Sequence, residues 1–269
     1  MSGVDFKQLV AAMKGRTVER PNKADSGTLS GHAAGEPFEK CVYHYLKERY
    51  PDKIFKQYEY LNQLYLANPD KVTAEQRFSL LKSPAVRLLL ARGADATKGW
   101  SKTNLFVEKQ NDTADILYHD SGFYDIIDVK TRNMGKEAMP PNIISASKVA
   151  EMCALMLENG EYDNLNIDYI EIDWVEEQGK LKCVGAHHAD LFKVNPNKIR
   201  INWAAAMQIQ FHVCDIDQSW TQSKEEWARE YLKVFMKSAE HRRERMKKNY
   251  ITPYQKYIQD PVNQDAKGE

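Results

Sequence analysis

Phe123–Arg132, FYDIIDVKTR, places Asp128 and Lys130 two residues apart in an apolar, β-branched run. In a strand that spacing sends both side chains to the same face of the pleat. The run before it, NDTADILYHD (Asn111–Asp120), has the same strand-like character, and Ser121-Gly122 between the two supplies a turn. A β-hairpin follows, with Asp115 brought to metal-sharing distance from Asp128. Two carboxylates and an ammonium meeting at a sheet edge suit a hard divalent cation held beside an anion, as phosphodiester hydrolysis requires.

Mg²⁺ takes oxygen ligands and keeps several waters, so one or two carboxylates plus a substrate phosphate satisfy it. Such an ion acidifies a bound water and neutralises charge building on the phosphoryl oxygens. Lys130 beside it can orient the nucleophile. To act as a general base it would need its pKa depressed from roughly 10.4. The plain alternative makes Asp115 and Asp128 strand-end carboxylates and Lys130 an edge lysine. Aspartate is a poor strand former, and an acid in DIIDVK has no packing role, which weighs against that alternative.

These residues resemble the second motif of the PD-(D/E)xK nucleases. Thr113-Ala114-Asp115 stands in place of the usual Pro-Asp pair, and Asp128-Val129-Lys130 follows. Longer strings are similar to the HincII family of type II restriction endonucleases: SGTLSGHAAGEPFEK (Ser26–Lys40), FKQYEYLN (Phe55–Asn62), EKQNDTADIL (Glu108–Leu117), DVKTRN (Asp128–Asn133), PNIISA (Pro141–Ala146) and INWAAAMQIQFHV (Ile201–Val213). The resemblance covers nearly the whole chain. It implies an α/β fold, a restriction-endonuclease-like mixed central sheet flanked by helices, in one domain over residues 1–258. It also implies a homodimer that cuts both strands of double-stranded DNA with Mg²⁺. The site would be a short palindrome, GTYRAC in that family, cut to blunt ends with 5′-phosphates. Asp115, Asp128 and the Val129 carbonyl would be the metal ligands, and Asp115, Asp128 and Lys130 the catalytic group. Gln110, Met139, Asn142, Arg200 and Asn202 fall where the family approaches DNA. The two asparagines match the family, and their amides can pair with a base edge. Met139 stands where the family has an inserting glutamine, and a methionine can wedge between bases. Arg200 replaces a tyrosine and brings a charge suited to phosphate or guanine. A companion DNA methyltransferase is implied by the restriction system.

Composition is compatible with this and excludes little. The chain has 269 residues, enough for one substantial core, and 38 basic residues balance 38 acidic ones. A net charge of zero argues against bulk-charge DNA binding and leaves room for a basic cleft. No apolar run approaches a membrane span and no signal-peptide pattern opens the chain, so a cytoplasmic protein is expected. Cys41, Cys153, Cys183 and Cys214 lack a C-x-x-C pair and read as reduced, mostly buried thiols.

Around the hairpin, periodicity predicts a helix over about 36–49, starting at Pro37, and a strand or extended segment over 54–62. One or two helices follow over 73–92, broken at Ser83-Pro84. A loop spans Asn133–Asn142, and a helix runs from Ser145 to Glu158, ending at Asn159-Gly160. Strands at Tyr169–Val175 and Leu181–Ala186 meet at Gln178-Gly179. The last helix opens with a capping box, Ser223 with Glu226, and reaches about Lys248. Residues 259–269 read as a disordered polar tail.

Other features carry weaker signals. The basic run His241–Lys248 is a solvated helix end or a phosphate contact. His187-His188 reads as an exposed loop pair without a metal role. Glu36 and Glu39 either approach the metal site or sit on the surface. Trp203 reads as packing. Two other functions remain open on the residues alone. One is a structure-selective repair or junction nuclease on the same core. The other is a DNA-binding protein without catalysis, in which the acids are structural.

Overall fold

The computed structural model describes residues 3–21, 31–71, 76, 79–90, 112–137 and 139–258. Its centre is a six-stranded sheet of order β1-β7-β6-β4-β3-β2. The strands are β1 (Thr17–Glu19), β2 (Ile54–Phe55), β3 (Ile116–Asp120), β4 (Phe123–Asn133), β6 (Leu165–Glu177) and β7 (Lys180–Asp190). β4 and β6 pair in parallel, and the other neighbours are antiparallel. The parallel pair requires a crossover, and α5 (Ala146–Asn159) lies within it. The mixed sheet flanked by helices bears out the expected fold.

The β3–β4 hairpin forms as expected. Ser121 and Gly122 both take left-handed backbone angles, φ 51° and 84°, the geometry of a tight two-residue turn that matches strand twist. Each face of the sheet buries its own apolar layer. On one face, Phe38, Val42, Tyr45 and Leu46 of α2 (Gly31–Arg49) join Leu9 and Met13 of α1 (Phe6–Met13) over Ile127, Ile170 and Ile172. On the other lie α3 (Gln57–Leu66), α4 (Pro84–Leu90), α5 and α6 (Lys224–Met246), packed on Leu117, Ile126, Ile167 and Tyr169. The alternation Ile126/Ile127 between the two layers follows from the two-residue period of the strand.

A second, three-stranded sheet of order β5-β9-β8 comprises β5 (Asn142–Ser145), β8 (Arg200–Asn202) and β9 (Gln208–Gln210). Buried ions tie its flank to the central sheet. The fully buried Glu171 of β6 accepts from the Val213 amide at 2.7 Å and contacts His212 Nδ1 at 2.7 Å. Beside it, Arg132 Nε and Nη2 each donate to Asp173 at 2.8 Å.

Several expectations are corrected. Residues 57–66 are helical, with β2 confined to Ile54–Phe55. Gln57, Tyr60, Leu61 and Tyr65 are buried at helical spacing, and Glu59 accepts from the Lys56 amide at 2.9 Å as an N-terminal cap. The aromatic residues imitate strand alternation, and tertiary burial decides against it. α2 begins at Gly31, so Pro37 lies inside the helix rather than starting it. His187 and His188 belong to β7, where they contact Asp173 at 3.0 Å and Asp168 at 2.5 Å. The final helix continues past Met246 through a π-turn, Lys247–Ile251, into α7 (Thr252–Ile258). Cys153 and Cys183 are buried while Cys41 and Cys214 are half-buried, and all four are free thiols.

Other boundaries hold. The Pro84 break opens α4, Ser79–Ser83 before it form turns and bends rather than the expected helix, and residues 73–75, 77–78 and 91–92 lie outside the described residues. α5 is capped by Ser145 and ends on Gly160 at φ 64°. The Ser223–Glu226 capping box is present. The 259–269 tail lies outside the described residues. None of the described helices is long and apolar enough to cross a membrane.

Candidate active site

Ile116 pairs with Ile127 across the hairpin, so the next step of the antiparallel register brings Asp115 against Asp128. The Val129 amide closes that step by donating to Asp115 Oδ2 at 2.8 Å. Lys130 folds back along the strand face, and its Nζ lies 2.9 Å from Asp128 Oδ1 and 2.8 Å from Oδ2. The three residues expected from the sequence therefore converge. They line a cleft of about 650 Å³, bordered by Glu39 of α2, Met139 and Lys148.

The segment leading to Asp115 is propped from behind. Gln57, fully buried on α3, accepts from the Ala114 amide at 2.9 Å and donates to the Leu90 carbonyl at 2.8 Å. This makes FKQYEYLN a support for the segment bearing Asp115, a role its strand-like reading concealed.

The charged groups here lie within reach of one another. Burial and the nearby Asp128 carboxylate push Asp115 up from 3.8 to about 7. Burial alone would lower Lys130, but the carboxylates of Asp128, Asp115 and Glu39 outweigh it and raise its pKa. The depressed pKa that a general-base lysine requires is not found, and Lys130 is an ammonium at neutral pH. Glu39 is itself ion-paired with Lys56, whereas Glu36 reaches into an exposed pair with Lys40 at 2.6 Å.

The donor set fits a hard cation. Two carboxylates converge, Asp128 Oδ2 is buried without a well-directed hydrogen bond, and the Val129 carbonyl follows directly in the chain. No cluster of three or more His, Cys, Asp or Glu forms a metal cage among the described residues. A pair of carboxylates that leaves positions for water and phosphate suits Mg²⁺ better than an all-protein cage would.

Comparison with known proteins identifies the lineage. The family model described as restriction endonuclease HincII matches residues 9–258. The chain belongs to the HincII restriction endonuclease family. It is 51% identical over 253 residues to the type II restriction enzyme HindII of Haemophilus influenzae (strain Rd), covering 94% of this chain and 97% of that protein. The type II restriction enzyme HincII of Haemophilus influenzae matches with the same identity and coverage. As a HincII-family restriction endonuclease, the chain is a site-specific endonuclease of DNA, and the family's chemistry implies a divalent metal.

The expected DNA-contacting residues fall at the cleft and on the small sheet beside it. Met139 lines the cleft and is 82% exposed, a protruding methionine with no packing role. Asn142 opens β5, while Arg200 and Asn202 bound β8. Register places Arg200 and Asn142 on either side of Gln210 of β9, so these side chains share one face, and Ile201 and Ile209 turn towards the core. Gln110 lies outside the described residues. Trp203 packs, as expected: its Nε1 donates to Ser238 Oγ at 2.8 Å. The basic helix end, Arg243–Lys248, is largely solvated.

Two residues at the site escaped the sequence reading. Lys148 of α5 borders the cleft, bonds Thr113 Oγ1 at 3.1 Å and has its pKa lowered by burial. Its neighbours Val149 and Ala150 mark it as an ordinary helix residue. Gln210 links Asn142 and Asn202, and only the register of two short strands reveals it.

Proposed function

We propose that this endonuclease hydrolyses phosphodiesters at the Asp115–Asp128–Lys130 constellation, with Mg²⁺ held by Asp115, Asp128 and the Val129 carbonyl. The observation that carries this reading is the convergence of two carboxylates and an ammonium on the wall of one cleft. The bound ion would supply Lewis acidity and charge neutralisation at the phosphoryl oxygens. The side chains do the rest. Lys130, charged and fixed on Asp128, orients the attacking water in line with the leaving 3′-oxygen and offsets negative charge at pentavalent phosphorus. Gln57 and the Val129 amide hold Asp115 in register. Lys148 at the cleft wall adds a second ammonium for the bound strand.

The site read is GTYRAC, cut to blunt ends by a homodimer whose two clefts take one strand each. A companion methyltransferase protects the host DNA, and the setting is cytoplasmic. Support for these finer points is the 51% identity with the two Haemophilus enzymes and the placing of Asn142 and Asn202 together beside Gln210 on the small sheet. Digestion of unmethylated phage DNA in Mg²⁺, followed by sequencing of the fragment ends, tests them together. Fragments that all end at GTY/RAC are expected. A different shared sequence would refute the specificity and implicate Met139 and Arg200, and a smear would refute site-specific cutting by this cleft.

A further inference from the structure

The polar face of the small sheet carries a hydrogen-bonded chain of amides whose direction is set at one end. Asn202 Oδ1 accepts from the backbone amides of Ala204 and Ala205, at 3.0 and 3.3 Å. Backbone N–H groups can only donate, so the Asn202 oxygen is fixed towards them and its Nδ2 faces outward. That Nδ2 donates to Gln210 Oε1 at 2.9 Å. Gln210 Nε2 then donates to Asn142 Oδ1 at 2.8 Å. An amide group can be flipped only if its partners can exchange roles. Here none can, because the backbone donors at Ala204 and Ala205 determine every orientation down the line.

The turn that supplies those donors is itself tightly specified. Ala206 and Met207 both adopt left-handed angles, φ 51° and 58°, uncommon for residues other than glycine. The Asn202 side chain bridges the start of this turn, so turn geometry and amide polarity are coupled.

We propose that Gln210 is a specificity-determining positioning residue, relaying the polarity of the 202–205 turn to Asn142 so that Asn142 meets DNA as a hydrogen-bond donor. The exposed Asn142 has its oxygen engaged and its Nδ2 left to give. Its complement is an acceptor on a base edge, such as purine N7 or guanine O6, rather than an exocyclic amine. Gln210 touches no base in this arrangement. It acts by holding Asn142 in one of two otherwise equivalent flips. The proposal rests on reading Asn142 and Asn202 as residues at the DNA surface.

Discrimination, rather than overall rate, is the quantity to measure. Duplexes carrying the cleaved site and each of its single-pair substitutions would be cut by the wild type, Q210M, Q210E, N142A and N202A. For Q210M, the cognate-to-substituted ratio of kcat/KM is expected to fall about tenfold at one position of the half-site and to hold elsewhere, in line with one amide contact. Q210E keeps the shape but can only accept, so Asn142 turns to donate to it and presents its oxygen. Preference at that same position should then shift towards a base presenting a donor. N142A should lose discrimination at that position too. Uniform losses at every position, or none, in both Gln210 variants would overturn the relay. Unchanged ratios in N142A and N202A would instead show that the asparagines do not read bases, and the relay would fall with them.

Discussion

Replacing Asp115 by asparagine should make the metal-free protein more stable while destroying its activity. In the native fold burial and Asp128 raise the Asp115 carboxyl from 3.8 to about 7. A raised carboxyl pKa means that the folded state resists ionisation. Below about pH 3.8 the group is protonated in both states and costs nothing. The penalty grows as pH rises towards 7 and is complete above it. The gap corresponds to about 4 kcal/mol at roughly 1.4 kcal/mol per pH unit. Solvent reaching a half-buried side chain reduces the recoverable part to about 2–3 kcal/mol at pH 8, and to about 1 kcal/mol at pH 5. Asparagine keeps the acceptor for the Val129 amide and turns its NH₂ to Asp128, so one repulsion becomes one hydrogen bond. Urea denaturation in EDTA at pH 5, 6.5 and 8 would show the variant gaining on the wild type as pH rises. Adding Mg²⁺ should then close the gap, since ligand binding stabilises only the protein that retains both carboxylates. A variant that is less stable at pH 8, or a gap that does not widen between pH 5 and 8, would refute the coupling argument.

Lys130→Ala should abolish cleavage while leaving DNA binding in Ca²⁺ largely intact, and turnover at the wild-type rate would remove Lys130 from the chemistry. Lys148→Gln should weaken DNA binding and lower the slope of log K against log salt by about 1, with Lys148→Arg restoring it. An unchanged slope would leave Lys148 as a structural partner of Thr113. Asp173→Ala strands Arg132 and removes the His187 contact, so a loss of about 3 kcal/mol is expected in urea denaturation. A loss below 1 kcal/mol would mean that water takes over the pair.

The β3–β4 hairpin was legible because its signals are local. Period-two alternation fixes which face Asp128 and Lys130 share, Ser121-Gly122 fixes the turn, and together they set the register that brings in Asp115. Capped helices were legible for the same reason, as at Ser223–Glu226 and at Asn159-Gly160. The stretch Gln57–Leu66 was misread because its pattern has two solutions, and the choice is made by contacts distant in sequence. Gln57 bridges the Leu90 carbonyl and the Ala114 amide, partners 33 and 57 residues away.

The small sheet shows the same limit in a sharper form. Asn142 and Asn202 were found through similarity to a family, and chemistry alone singled them out weakly, since asparagines are common in loops. The Ala204 and Ala205 amides give Asn202 its donor and acceptor sense, and Gln210, on a three-residue strand too short to leave any periodic trace, carries it to Asn142. The proposed catalytic centre tolerates this poorly encoded neighbourhood because Asp128 and Lys130 lie on β4, which pairs with β6 over ten residues, and Asp115 directly precedes β3, the other neighbour of β4. The proposed DNA-reading face instead rests on short β8 and β9, joined by a strained turn and anchored through Glu171 to the central sheet. A substitution at Glu171 should therefore disturb discrimination before it disturbs hydrolysis. The buried carboxylate holds Val213 and contacts His212 just beyond Gln210, while the hairpin bearing Asp115 and Lys130 keeps its own hydrogen-bond ladder.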